Sequence, residues 1–344
     1  MSNERTEISD LGEFGLIDHL TKNIELQNAS SVLGVGDDAA VIDHFGKQTV
    51  VTTDLLVEGV HFDLMYTPLK HLGYKSVIVN LSDIYAMNAI PTQVVISLGI
   101  SSRFSLETVD ELYEGIYAAC EKYGVDLVGG DTTSSQKGLI ISITAIGEVA
   151  PDKYVKRSTA QKGDLLCVSG DLGGAYIGLL FLEREKKIFL ESPGVQPDLE
   201  GEAYVVGKLL KPEARKDIIE FFANEKITPT SMMDISDGLS SEILHICKQS
   251  QLGCVLYEDK LPVAEATRQA AFKFEIDPTA CALSGGEDYE LLFTISQSEY
   301  DKLVLNEQIS VVGYMTDAEQ GAHIITKGGS KYPITAQGWN HLKK

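Results

Sequence analysis

The chain has 344 residues, 44% of them hydrophobic and 23% charged, which is the make-up of an ordinary globular protein with room for about two domains. Its 29 basic residues face 50 acidic ones, for a net charge of −21. That balance argues against nucleic acid and anionic membrane as partners, because both demand a positive surface. No apolar run approaches the roughly 18 residues that span a bilayer. The polar opening MSNERTEISD does not read as a secretory leader, so the expectation is a soluble, cytoplasmic protein.

In chain order, residues 31–149 read as short strands alternating with helices. QTVVTTDLLVEGVHF has β-branched runs of strand type. YKSVIVNLSDIYAM repeats apolar residues at Val77, Leu81, Ile84 and Tyr85, which is helical spacing. TQVVISLGI is a strand. SLETVDELYEGIYAACEKYG is a helix, with Ser105 as N-cap and Gly124 just past its end. VDLVGGD and LIISITAIGEV are strands. The polar stretch APDKYVKRSTAQKGD follows, and the domain boundary is placed at its start, giving domains 1–149 and 150–344. The second unit opens with the strand DLLCVSG. Helix is expected through YIGLLFLEREKK and again through VVGKLLKPEARKDIIEFFANEK, with KIFLESPGVQPDLEGEA as a loop between them. DISDGLSSEILHICKQS begins a helix; GCVLYED, YELLFTIS and ISVVGYM are strands.

The cysteines Cys120, Cys167, Cys247, Cys254 and Cys281 are odd in number and form no C-x-x-C. They read as small core residues rather than a disulfide framework or a zinc-thiolate site. The histidines are scattered, with no H-E-x-x-H.

The informative feature is a recurring one: Asp or Glu beside Gly, Ser or Thr at the edge of an apolar segment. It appears in GVGDDAAVI, VVTTDLLVEG, VNLSDIYAM, LVGGDTT, MMDISDGLSS and LSGGEDYELL. Each copy alone is explained by helix caps and turns. Together they exceed what caps require, since desolvating a carboxylate costs several kcal/mol unless it is paired or bound to metal. Hard oxygen donors select Mg²⁺ or Ca²⁺ over zinc, and several such ions would let an acidic protein hold an anionic nucleotide. Gly34-x-Gly36-x-x-Ala39 matches a dinucleotide fingerprint with Asp54 near the ribose-acid distance. Asp37 and Asp38 occupy that loop, however, and the following residues read as strand and turn, not helix. A Walker A motif is absent. SGDLGGA is a further glycine loop, read as structural.

The ordered set GEFGLI, GVGDDAAV, TTDLLVEGVHF, YKSVIVNLSD, GGDTT, KRSTAQKGD, SGDLGGA, DISDGLSSEI and SGGEDYEL is similar to the thiamine-monophosphate kinase family, and GWNHL extends the likeness. The resemblance implies an α/β (α+β), two-domain fold of the aminoimidazole ribonucleotide synthetase type. It also implies a homodimer joined through a β-barrel of the N-terminal domains. By resemblance, Asp38, Thr52, Thr53, Asp54, Asp83, Asp131, Asp234 and Asp237 hold several Mg²⁺ ions. Tyr113, Gly130, Asp131, Arg157 and Ser236 contact ATP, and His61, Glu287 and Trp339 contact thiamine monophosphate. The implied reaction is ATP-dependent phosphorylation of thiamine monophosphate to the diphosphate, the last step of thiamine diphosphate biosynthesis, by direct in-line transfer. No covalent or acid/base residue is expected, because the accepting phosphate oxygen is already ionised near neutral pH. The alternatives are another ATP-dependent enzyme of the same superfamily, or a divalent-metal or nucleotide-binding module without catalysis.

Overall fold

The computed structural model describes residues 31–33, 36–44 and 46–336. Period-two alternation builds the first sheet. In Ile140–Val149 every second side chain is buried, from Ile141 to Val149, as a strand with one covered face requires. The six strands are β1 (Ser31–Leu33), β2 (Ala40–His44), β3 (Lys47–Val57), β4 (Ile90–Ile100), β5 (Asp126–Ser134) and β6 (Ile140–Val149). Their order is β1-β2-β3-β6-β4-β5. All neighbours are antiparallel except β4 and β5, which are linked by a helix as a parallel pair must be.

Two helices back this sheet. The first, α1 (Leu69–Ala86), contains the predicted apolar repeat, and Val77, Leu81, Ile84 and Tyr85 are all fully buried. Its polar face is buried too, at Ser76, Asn80 and Ser82. The periodicity alone does not show this, because it arises from a helix covered on every side. The second, α2 (Leu106–Tyr123), starts and stops as its caps predict. Ser105 accepts from the Thr108 N–H at 3.4 Å, and Gly124 closes the helix at φ 70°.

The second sheet takes residues 165–333. Its strands are β7 (Leu165–Ser169), β8 (Ser231–Ile235), β9 (Leu252–Tyr257), β10 (Glu290–Ile295), β11 (Ile309–Asp317), β12 (Ala322–Ile325) and β13 (Lys331–Pro333), ordered β13-β12-β9-β11-β7-β10-β8. The helices here are α3 (Gly174–Glu191), α4 (Ala203–Leu210), α5 (Lys216–Glu225), α6 (Leu239–Ser250), α7 (Glu265–Phe272), α8 (Pro278–Ser284) and α9 (Tyr300–Leu303). Two sequence expectations are corrected. Lys187–Glu191 continue α3 instead of opening a loop, since nothing in KIFLE breaks a helix before Pro193. The long helix expected from Val205 to Lys226 is two, α4 and α5. It parts around Pro212, whose ring and missing N–H end a helix at the residues before it.

The largest core joins both sheets. Ile84, Ile96 and Ile143 belong to it together with Cys167, Phe222, Met232 and Phe293, so α1 lies between the sheets as a shared element. Among the described residues no helix is long and apolar enough to cross a membrane.

Helices α1 and α2 approach through a reciprocal pair of glycines. A Cβ on Gly73 would strike the Leu112 carbonyl, and one on Gly115 would strike the Lys70 carbonyl. Gly115→Ala is therefore expected to destabilise the protein by about 1–3 kcal/mol through overpacking. Gly207→Ala, where α4 leaves open space, should be neutral or stabilising by about 0.5–1 kcal/mol. Denaturant midpoints of the two variants measure the contrast.

Candidate active site

Three chain segments converge where α1 passes between the sheets. Asp38 comes from the turn before β2, Asp83 from the last turn of α1, and Asp234 from β8. One carboxylate oxygen of each lies within 4.8 Å of the others. The side chain of Asp38 is only 1% exposed, and Asp234 is 4% exposed. Neighbouring polar groups fix them. The Thr52 hydroxyl donates to Asp83 Oδ2 at 2.6 Å, and the Ser82 hydroxyl donates to Asp234 Oδ2 at 2.7 Å. Thr52 and Asp54 share the inner face of β3 by strand alternation, and the Asp54 N–H donates to Asn80 Oδ1 at 3.0 Å. Asn80 and Ser82 carry no ligand signature in the sequence; their signal is polarity interrupting the apolar run that starts at Val77.

The electrostatics follow from burial. Burial, then repulsion from Asp54, Asp234 and Asp38, pushes the Asp83 carboxyl well above its ordinary 3.8. Burial and the charge of Asp38 raise Asp234 to about 7, and burial raises Asp54 to about 6. Asp37, buried beside Asp38, rises to about 7. The one cation reaching this group by a described contact is Arg157. Its Nε donates to Asp38 Oδ2 at 3.0 Å, its terminal nitrogen to Asp38 Oδ1, and its backbone N–H to Asp37 Oδ1 at 3.0 Å.

The other sequence-predicted residues fall into separate groups. Thr53 points to the outer face of the first sheet, where its hydroxyl donates to the Ile143 carbonyl at 3.0 Å. Gly130 and Asp131 lie on the edge strand β5, opposite Ile96 and Ser97. Three strand spacings separate β5 from β3, about 14 Å, and the register puts Asp131 on the outer face with Leu55. The structure therefore does not bring Asp131 to the carboxylate cluster. Asp237 and the exposed Ser236 follow β8 directly, and the Asp237 N–H donates to Glu242 Oε1 at 3.0 Å. Tyr113 is half-buried on α2, its ring 5.7 Å from that of Tyr117. Trp339 lies outside the described residues.

A second polar group adjoins the cluster. Glu287 pairs with the buried Lys75 of α1, and its Oε1 accepts from the Tyr289 hydroxyl at 3.3 Å. Sequence reasoning found Glu287 but not Lys75, which acts across a separation of 212 residues, nor Tyr289, which is only two positions away and whose backbone has a positive φ, as does that of Glu287. His61 Nδ1 accepts the Val57 N–H at 3.0 Å. That bond leaves the proton of a neutral imidazole on Nε2, so the ring presents a donor. The glycine loop after β7 is closed: both carboxylate oxygens of Asp288 already take the Gly173 N–H, at 3.1 and 2.9 Å. This agrees with a structural role for SGDLGGA.

The raised carboxyls make a prediction about the empty protein. Between about pH 4 and pH 7 the folded chain holds protons on Asp37, Asp54, Asp83 and Asp234 that the unfolded chain has released. Stability is thus lost as pH rises through that window. Without divalent cation, the melting temperature is expected to fall from about pH 5 to about pH 8, and saturating Mg²⁺ to flatten or reverse that slope by binding the ionised form.

Comparison with known proteins adds to this geometry. A family model described as AIR synthase related protein, N-terminal domain, matches residues 36–149. The thiamine-monophosphate kinase of Aquifex aeolicus (strain VF5) is 34% identical over 335 residues, covering 97% of this chain and 99% of that protein. The thiamine-monophosphate kinase of Bacillus subtilis (strain 168) is 31% identical over 339 residues, covering 97% of this chain and all of its own length, 100%. Among solved structures, AaThiL complexed with AMPPCP and TMP matches with a TM-score of 0.82 at 30% identity, covering 98% of this chain and 100% of that one.

Proposed function

The chain belongs to the thiamine-monophosphate kinase family, and from that premise we propose that its carboxylate cluster is where ATP and thiamine monophosphate meet. It is an ATP-dependent kinase of thiamine monophosphate, in keeping with a relative that holds AMPPCP and TMP. The observation that carries the placement is the convergence of Asp38, Asp83 and Asp234 to within 4.8 Å. Carboxylates drawn from three separate segments and buried together are more than a fold needs.

The donor set fits Mg²⁺. Three carboxylates and the Thr52 hydroxyl are hard oxygen ligands, and among the described contacts the Arg157 guanidinium meets the charge they concentrate. Asp38, Asp83 and Asp234 would hold the ion, with Asp54 and Asp237 alongside. Bound there, it would neutralise these acids and screen the charge of the transferring phosphoryl group. Thr53 and Asp131, on the outer sheet face but about 14 Å of sheet apart, are proposed to serve further ions separately, and Gly130, Tyr113 and Ser236 to line the nucleotide. Arg157 has the planar fork that suits phosphate oxygens, and its present partner Asp38 is one of the proposed metal ligands. Glu287 offers a negative partner for the cationic thiazolium and Trp339 an aromatic face for it, and His61 is proposed as a further substrate contact.

The accepting phosphate is its own nucleophile, so no side chain needs to remove a proton. The residues position two anions and balance their charge. The transfer is direct and in-line, without a phosphoenzyme. The homodimer and the division at residues 149/150 belong to the same reading. Leu55, Ile90 and Val128 are 54%, 48% and 58% exposed on the first sheet, and among the described residues β5 pairs on one side only; such a surface suits a partner. The cytoplasmic location is supported by five buried cysteines, all free.

Two experiments bear on this. Asp83→Asn removes one of the crowded charges, so the metal-free variant should melt no lower than the parent. It should lose the Mg²⁺-dependent rise in melting temperature and most conversion of thiamine monophosphate to the diphosphate; near-normal turnover at limiting Mg²⁺ would contradict the assignment. With ATP made chiral at the γ-phosphorus, inversion is expected in the product. Retention would indicate a covalent intermediate and overturn the in-line step.

A further inference from the structure

The glycine loop at residues 170–174 and the acids after Gly286 meet in the structure, and their meeting has a use. Residues 287–290 alternate. Glu287 and Tyr289 adopt φ values of 63° and 52°, a region that residues other than glycine rarely enter. Their N–H groups donate to the carbonyls of Ser236 and Ile235 at 2.6 and 2.9 Å. Glu287 extends to Lys75 and to the Tyr289 hydroxyl, beside the carboxylate cluster.

The intervening acids engage a different set of groups. Asp288 and Glu290 are 3% and 4% exposed. Asp288 takes the Gly173 N–H at the head of α3 on both its oxygens. Glu290 accepts from the Ser169 hydroxyl at 2.6 Å, from Lys208 at 3.2 Å and from Arg215. Glycine is needed on the facing loop. A Cβ on Gly170 would collide with the Glu290 carboxyl, and Gly173 sits at φ 82°. A strained backbone persists only where its surroundings over-determine it. Glu290 is held within β10 in any case. Asp288 is the side chain that fastens the residue between the two strained positions.

We propose that Asp288 is a positioning residue for substrate recognition: by binding the Gly173 N–H it holds the backbone from which Glu287 presents its carboxylate to the cationic ring of the substrate. The inference rests on the assignment of Glu287 to that ring. Without the Asp288 anchor, the loop can relax to common φ values and carry Glu287 away from the site. Gly130 on β5, in the other sheet, would be left in place; Ser236, whose carbonyl accepts the Glu287 N–H, is the nucleotide-lining residue that the loop touches.

The experiment compares the parent enzyme with Asp288→Ala, Asp288→Asn and Glu287→Gln, varying each substrate in turn and recording melting temperatures. Asp288→Ala should raise KM for thiamine monophosphate about tenfold, the scale of one lost buried hydrogen bond, and raise KM for ATP by no more than about threefold. Asp288→Asn keeps an accepting oxygen and should recover most of the loss. Should Asp288→Ala not fold, Asp288→Ser, which is polar but too short to reach, takes its place. The proposal is overturned if Glu287→Gln raises KM for thiamine monophosphate while the shortened Asp288 variants do not, or if those variants raise both KM values alike. If Glu287→Gln itself has no effect, the assignment of Glu287 fails and takes this inference with it.

Discussion

Asp38, Asp83 and Asp234 crowd their oxygens within 4.8 Å at the one place where both sheets and α1 meet, and most of the site follows from that repulsion. Two unit charges about 4 Å apart repel by about 4 kcal/mol at an effective dielectric of 20, and burial adds a desolvation penalty to each. The empty protein has two ways to relieve this, proton uptake and the Arg157 guanidinium on Asp38. A divalent cation is a third, and it is the one that also helps a phosphorylated nucleotide approach a phosphorylated acceptor. In the proposed reading, the same charges that disfavour the metal-free fold are those that would recruit the counter-ions of the reaction.

Helix α1 sets the dimensions of this arrangement. Lys75 meets Glu287 at one end, Asn80 holds the Asp54 backbone in the middle, and Ser82 and Asp83 serve the cluster at the other. Eight residues of helix, from Lys75 to Asp83, span about 12 Å. A rigid element buried on every side keeps that separation constant. The paired glycines Gly73 and Gly115 let α2 press against it from behind, so packing remote from the chemistry preserves the spacing of its groups.

Local signals explain what was legible in advance. The Ser105 and Gly124 caps mark the ends of α2, because capping depends on residues a few positions apart. The strands fall where alternation and β-branching place them. Two elements depart from their local signals: KIFLE continues the helix before it instead of the loop after it, and Pro212 divides what the sequence reads as one helix. The acids at element edges were visible as a class, and their oxygen chemistry pointed to hard cations. Their division was not visible. Asp54 and Asp131 look alike in sequence, yet strand register turns one toward the cluster and the other to the opposite face.

By itself the order of residues determined the alternating strands and helices, the family likeness, and the recurrence of carboxylates where a chain turns. Only the tertiary structure decided which of those carboxylates share a volume, that Lys75 meets Glu287, and that Asp288 turns to the Gly173 N–H of the glycine loop while Glu287 turns to Lys75. The reason is range. Caps and periodicities act over a few residues, whereas charge repulsion, strand register and the approach of Gly73 to Leu112 join positions dozens to hundreds of residues apart, and these are set only when the chain closes on itself.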